Sequence, residues 1–160
     1  MIRTLGRTLA LVFGTGFGAG FFPIAPGTVG SAVGIVIYII LVKLRVLSAS
    51  NWPGWLAVLA VVFACGWLAA WNLERRYGSD NRRIVVDEIW GMLISLAFLP
   101  PRLGYAVAGF FLFRLFDIVK PFPGRRAEHA GPGIGVMLDD GVAGIYALVV
   151  LHVTRIIASQ

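Results

Sequence analysis

Two apolar runs, residues 29–47 and 54–73, are each long enough to cross a bilayer as a helix, and three further apolar segments follow at 85–100, 103–119 and 136–158. Crossing the hydrocarbon core takes roughly 20 helical residues. Segments 85–100 and 103–119 are shorter, and Pro100-Pro101 breaks the chain sharply between them. They are expected either to cross or to form a helical hairpin that dips in without fully spanning. The chain is 58% hydrophobic and only 14% charged, with a mean hydropathy of +0.83; a soluble domain of 160 residues would be far more polar. The expected fold is all-α, an integral membrane helical bundle of about four to five transmembrane helices forming a single domain over residues 1–160.

Ahead of the first long run lies a Gly/Pro-rich segment, residues 13–30, apolar yet poorly suited to a regular helix. It is expected to be re-entrant or interfacial, since irregular backbone at membrane depth is tolerated where protein buries it. Its Gly-Thr-Gly-Phe-Gly-Ala-Gly stretch is no dinucleotide fingerprint, because no strand precedes it; the glycines are read as allowing close backbone packing. Arg3 and Arg7 before Leu9–Phe13 faintly resemble a signal peptide, but Gly6 interrupts the run and no clean cleavage region follows, so cleavage is not expected.

The net charge of +6 comes without a basic stripe of interleaved aromatics, so no nucleic acid is expected as a partner; an anionic lipid surface accounts for it better. Cys65 is the only cysteine, which excludes an intramolecular disulfide and a cysteine-rich zinc site. With the N-terminus on the cytoplasmic side and all five segments crossing, Arg3, Arg7, Arg75, Arg76, Arg82, Arg83, Lys120, Arg125 and Arg126 are cytoplasmic, while Lys43, Arg45, Arg102 and Arg155 lie opposite. That satisfies the positive-inside rule.

The same arrangement collects seven of the eight acids, Asp80, Asp87, Glu88, Asp117, Glu128, Asp139 and Asp140, at cytoplasmic helix ends, although only Lys and Arg were used to draw it. A charge within a bilayer-length segment costs about 2.5–3.5 kcal/mol on insertion scales, so each acid needs an explanation. Asp87-Glu88 opens the third segment, and Asp139-Asp140 is read at the start of the fifth. Helix-dipole or capping interactions are the bland account of both pairs. Gly91 lies one turn beyond Asp87, and Ala143 and Gly144 one turn beyond the second pair; small residues there let a helix or a ligand come close. Asp117 sits near a helix end, where the dipole opposes an acid. It shares a face with Arg114, so either a plain ion pair or a metal ligand with basic neighbours over a phosphate fits. Asp80, Glu128 and His129 read as ordinary loop residues. Thr28 and Ser31 mark the start of the first long helix, equally consistent with an anion site and with capping by Thr28.

With two histidines and one cysteine, the donors are oxygen atoms, which favour a hard cation, magnesium first. Magnesium commonly bridges to phosphate, and nearby Lys and Arg balance the remaining charge. A lipid-headgroup phosphate is the expected substrate. The runner-up is a carboxylate-lined cation transporter or channel, which needs acids staggered across the bilayer. A structural scaffold would leave the acids without a role.

Four stretches, Pro23–Ser31, Ile84–Gly91, Phe113–Pro123 and Gly133–Gly144, together resemble phosphatidylglycerophosphatase A, in that family's order and over nearly the whole chain. The resemblance implies a magnesium-dependent phosphatase of the bacterial inner membrane, its site facing the cytoplasm, that removes the terminal phosphate of phosphatidylglycerol phosphate. The family's motif acids correspond to Asp87, Glu88, Asp117, Asp139 and Asp140, and Asp80 matches a recurrent acid seven positions before the Asp-Glu pair. These six are the expected magnesium ligands. Lys120 and Arg114 would bind substrate phosphate, with Thr28, Ser31 and Arg125 as weaker candidates. Residues 127–132 depart from the Gly-Gly form often found before the Asp-Asp motif, so His129 takes no role from the resemblance. Attack by water and an aspartyl-phosphate intermediate are both compatible with this pattern.

Overall fold

A computed structural model describes residues 2–78 and 81–159, with side chains from Gly6 onward. Asp80 and the Arg3 side chain lie outside the described residues. The architecture is all-helical, with no strand among the described residues. The helices are α1 (Ile2–Gly14), α2 (Pro26–Lys43), α3 (Trp52–Tyr77), α4 (Val86–Ser95), α5 (Leu103–Val119), α6 (Gly124–Ala127) and α7 (Ile134–Ala158). Short 3₁₀ turns occupy Ala19–Phe21 and Glu128–Ala130.

Three helices, α2, α3 and α7, are long and apolar enough to cross a membrane. Their starts follow local chemistry. Pro26 opens α2 and Pro53 stands in the first turn of α3, where a missing N–H costs nothing. The Asn51 side chain caps α3 by accepting from the Gly54 amide at 3.1 Å. Residues 15–25 are irregular apart from the turn at Ala19–Phe21, as the Gly/Pro content requires, whereas Ile2–Gly14 ahead of them is helical and residues 26–30 already belong to α2.

The segment 85–100 takes a different form from a long span. Helix α4 has only ten residues, and eight of them are buried. At 1.5 Å per residue it covers about 15 Å, half the hydrocarbon thickness. It lies at the centre, wrapped by α2, α3, α5 and α7, with Met92 and Leu93 fully buried. The Trp90 indole N–H donates to the Leu59 carbonyl at 2.9 Å, tying α4 to α3. Beyond the break at Pro100-Pro101, α5 returns toward the end from which α4 set out.

The exterior is apolar along the long helices: Val36 and Ile40 on α2, Val61 and Leu68 on α3, Phe111 and Ile118 on α5, and Val149 and Ile156 on α7 are all exposed. An apolar belt of this extent is what a lipid-facing surface presents. The bundle therefore carries apolar side chains outside and buries Asp87, Asp139 and Asp140 near one end.

Candidate active site

That end is where α2, α4 and α7 begin and where α3 and α5 finish. Asp87 and Glu88 stand in the first turn of α4, where the positive end of the helix dipole favours them. Asp139 and Asp140 do not open their helix. They are the sixth and seventh residues of α7, which starts at Ile134 and has no acid in its first turn. Capping therefore fails as an explanation for the second pair. Both are buried, as is Asp87.

Close approach of α4 and α7 brings the two pairs together. A Cβ on Gly91 would lie 2.7 Å from the Asp140 carbonyl and 2.5 Å from the Phe113 ring, and one on Gly144 would lie 2.5 Å from the Gly91 carbonyl. Only hydrogen fits at that crossing, so the small residues beside the acids serve contact between helices.

The acids line a cavity of about 290 Å³ that also takes in Ala25, Pro26 and Gly27 at the start of α2. Six of the seven acids singled out in sequence border it: Asp87, Glu88, Asp117, Glu128, Asp139 and Asp140. Among the described residues, three cations, Arg82, Arg114 and Lys120, line the cavity with them. Asp117 comes from the last turn of α5, and its Oδ2 lies 2.6 Å from Arg114 Nη1. The plain ion pair thus exists, and it sits inside the cavity rather than apart from it.

Lys120 caps α5 in the left-handed conformation, with φ of 49°. That geometry is costly for any residue with a Cβ, by about 1–2 kcal/mol. It turns the ammonium onto Asp139 at 2.5 Å and Glu128 at 3.3 Å. Burial pulls the Lys120 pKa down, but the hydrogen bond and charge of Asp139, with Glu128, outweigh it and leave the pKa raised. The side chain stays a cation throughout the neutral range.

Several carboxylate oxygens have no protein partner. Asp87 Oδ1, Glu88 Oε2 and Asp140 Oδ2 are buried without a hydrogen bond, and Arg114 Nη1, despite its approach to Asp117, also lacks hydrogen-bond geometry. Unpaired buried carboxylates repel one another and are expensive to keep. They fall into two groups, Asp87–Glu88–Asp140 and Asp117–Asp139–Asp140, each offering one oxygen per residue within 4.8 Å of the others. Asp140 belongs to both. The donor set is all oxygen and carries an excess of negative charge, so it fits a hard divalent cation.

Other expected site residues lie elsewhere. The Ser31 hydroxyl is buried and donates to the Gly27 carbonyl at 3.0 Å, and neither Ser31 nor Thr28 lines the cavity. Ala25, not Thr28, caps α2. Arg125 is exposed on α6 and does not line it either. His129 points its Nδ1 at the Arg125 carbonyl, 2.8 Å away, and has no place in the cavity. His152 lies far along α7, against the Ala97 carbonyl at 3.0 Å.

Three residues have roles that sequence reasoning missed. Arg82 lines the cavity, Glu128 pairs with Lys120, and the Glu74 carboxylate accepts from the Gly133 amide at 2.6 Å, securing the start of α7 to the end of α3. The run Asp80-Asn81-Arg82-Arg83, seven to four residues before Asp87, was the available signal for Arg82.

Fold and cavity together define a helical membrane protein with a carboxylate-lined site at one end. A family profile of phosphatidylglycerophosphatase A matches residues 12–155, and the chain belongs to that family. It is a phosphatase. It is 38% identical to phosphatidylglycerophosphatase A of Haemophilus influenzae over 85% of this chain and 82% of the relative. The corresponding enzyme of Escherichia coli is 34% identical, over 86% and 78%. A Bacteroides thetaiotaomicron protein provisionally named phosphatidylinositol-3-phosphatase is 43% identical over 92% of this chain and 94% of the relative. No solved structure matches the chain.

Proposed function

We propose that the protein is a magnesium-dependent phosphatidylglycerophosphatase of the bacterial inner membrane, hydrolysing the terminal phosphomonoester of phosphatidylglycerol phosphate at the cytoplasmic surface. One observation carries the reading: two triplets of buried or half-buried carboxylates, three of whose oxygens lack a partner, share Asp140 at one end of the bundle. Asp87, Glu88, Asp117, Asp139 and Asp140 would hold one or two magnesium ions, with Asp80 as a further candidate. A magnesium ion held there would offset the carboxylate charge and would supply Lewis-acid polarisation of the phosphoryl group and of an attacking water. Lys120, held as a cation against Asp139, is positioned to neutralise phosphate oxygens. Arg114 does the same from the α5 face, where its guanidinium lies 2.6 Å from Asp117. Burial of the carboxylates strengthens every one of these interactions.

The cation-pathway reading fares worse. All the described acids, Glu74 included, lie toward the end where α4 and α7 begin. A cavity toward the other end, beside Lys43 and Arg102, has no carboxylate in its lining. With α5, seventeen residues long, as a further crossing, the bundle would have four transmembrane helices around α4. The Bacteroides relative raises the choice between glycerol and inositol headgroups.

Phosphate release by the purified protein from phosphatidylglycerol phosphate and from phosphatidylinositol 3-phosphate, in matched mixed micelles with magnesium, tests the assignment. Preferential turnover of the glycerol lipid is expected. Preference for the inositol lipid would move the substrate, and no release from either would end the enzyme reading.

A further inference from the structure

A second, smaller cavity of about 210 Å³ adjoins the carboxylate site, and Pro26 and Arg82 line both. Its wall contains Gly20, Phe21, Phe22 and Arg83 and, among the described residues, no acid. Neither Arg82 nor Arg83 is in an ion pair among the described residues. Arg82 borders the carboxylate cavity as well, but among the described residues neither arginine is engaged by a carboxylate, in contrast to Lys120 and Arg114, which are ion-paired. The loop is held in place locally: Gly20 packs so closely on the Arg83 carbonyl that a Cβ would collide with it, and the Arg83 guanidinium lies 5.5 Å from the centre of the Phe21 ring.

Beside this basic cavity the chain exposes Phe21, Phe22 and Ile24, the last with 77% of its surface accessible. Aromatic and aliphatic side chains next to arginines at a bundle end are suited to the boundary between acyl chains and headgroups. A phosphoester lipid lying there would direct its chains over these residues and its headgroup inward, past Arg82, to the carboxylates.

We infer that Arg82 and Arg83 form a second phosphate subsite, which grips the phosphodiester of the lipid substrate while its terminal phosphomonoester sits at the carboxylate cavity. This rests on the lipid-phosphatase reading above. The two subsites divide the labour. The first is rich in carboxylates and accepts a phosphate through a cation; the second has arginine alone and accepts a singly charged diester directly. Arg82 and Arg83 are binding and specificity residues, selecting lipids that carry a diester one headgroup away from the monoester.

The two products of the reaction probe the subsites separately, since phosphatidylglycerol keeps the diester and inorganic phosphate does not. Inhibition by each is measured during turnover of phosphatidylglycerol phosphate in mixed micelles, for the wild type, Arg82→Ala and Arg83→Ala. The expected result is that both variants raise KM and the inhibition constant for phosphatidylglycerol about tenfold, the order of one lost charge-assisted hydrogen bond. The constant for inorganic phosphate stays within about twofold, and Arg82→Lys and Arg83→Lys recover part of the binding, since they keep the charge but not the planar fork. Equal weakening toward both products, or no change in KM and phosphatidylglycerol inhibition, overturns the subsite. Absence of phosphate release by the wild type instead removes the underlying lipid-phosphatase reading.

Discussion

Asp140 is the residue on which both carboxylate triplets depend. Asp140→Asn keeps the shape and removes the charge, so turnover is expected to fall by at least about 100-fold, as when a preorganised transition-state contact is lost. Thermal unfolding gives an independent readout. In chelator, Asp140→Asn should raise Tm, because a buried, unpartnered carboxylate is gone; magnesium should raise the wild-type Tm but no longer that of the variant. A lower Tm for the variant in chelator would mean that the carboxylate is satisfied as it stands. Lys120 separates fold from function in the same way. Lys120→Gly relieves a left-handed backbone by about 1 kcal/mol while deleting the ammonium. Activity should drop about 10-fold or more with little loss of stability, and full activity would show that the ammonium has no part. At this scale the sequence was informative about residue type: the costly acids of the apolar segments border one cavity. It hinted at Arg82 through the basic run before Asp87 but not at its place in the cavity, nor at the Lys120–Glu128 pair, because both depend on tertiary contacts.

Among the elements, α4 controls the geometry. Its crossing with α7 depends on Gly91, where a methyl group must displace the Phe113 ring or the Asp140 backbone. Gly91→Ala should destabilise the protein by about 1–3 kcal/mol and lower activity with it. Gly104, whose Cβ position in α5 is open, is the control: Gly104→Ala should be neutral or stabilising by up to about 1 kcal/mol. Equal behaviour of the two variants in chemical denaturation and turnover would contradict the crossing. Continuous apolar sequence signalled a helix at 85–100 but not its burial on all sides, because hydropathy does not separate a lipid-facing surface from a protein-facing one. The start of α7 at Ile134 is marked by Gly131-Pro132-Gly133, whereas the apolar run alone starts the segment at Val136 and so puts the acid pair near its opening. The tie between Glu74 and Gly133 joins positions 59 apart and leaves no local trace.

At the scale of the whole molecule, an apolar exterior and a one-ended acidic interior make sidedness the decisive property. Lys43, Arg45 and Arg102 lie toward the opposite end of the bundle from Arg126 and the site. With Cys65 replaced, a membrane-impermeant thiol reagent added to intact cells should label Arg45→Cys and Arg102→Cys but not Arg126→Cys. The reverse pattern would put the carboxylates on the outer face.

The central claim is that these carboxylates work by holding magnesium for phosphomonoester hydrolysis. It is tested most directly by the rate of phosphate release from phosphatidylglycerol phosphate against magnesium concentration, for the wild type and Asp140→Asn. The account predicts a saturable wild-type rate that vanishes in chelator, and a variant that is silent or needs far more magnesium. A wild-type rate that persists in chelator, or a variant with the wild-type magnesium dependence, would contradict it.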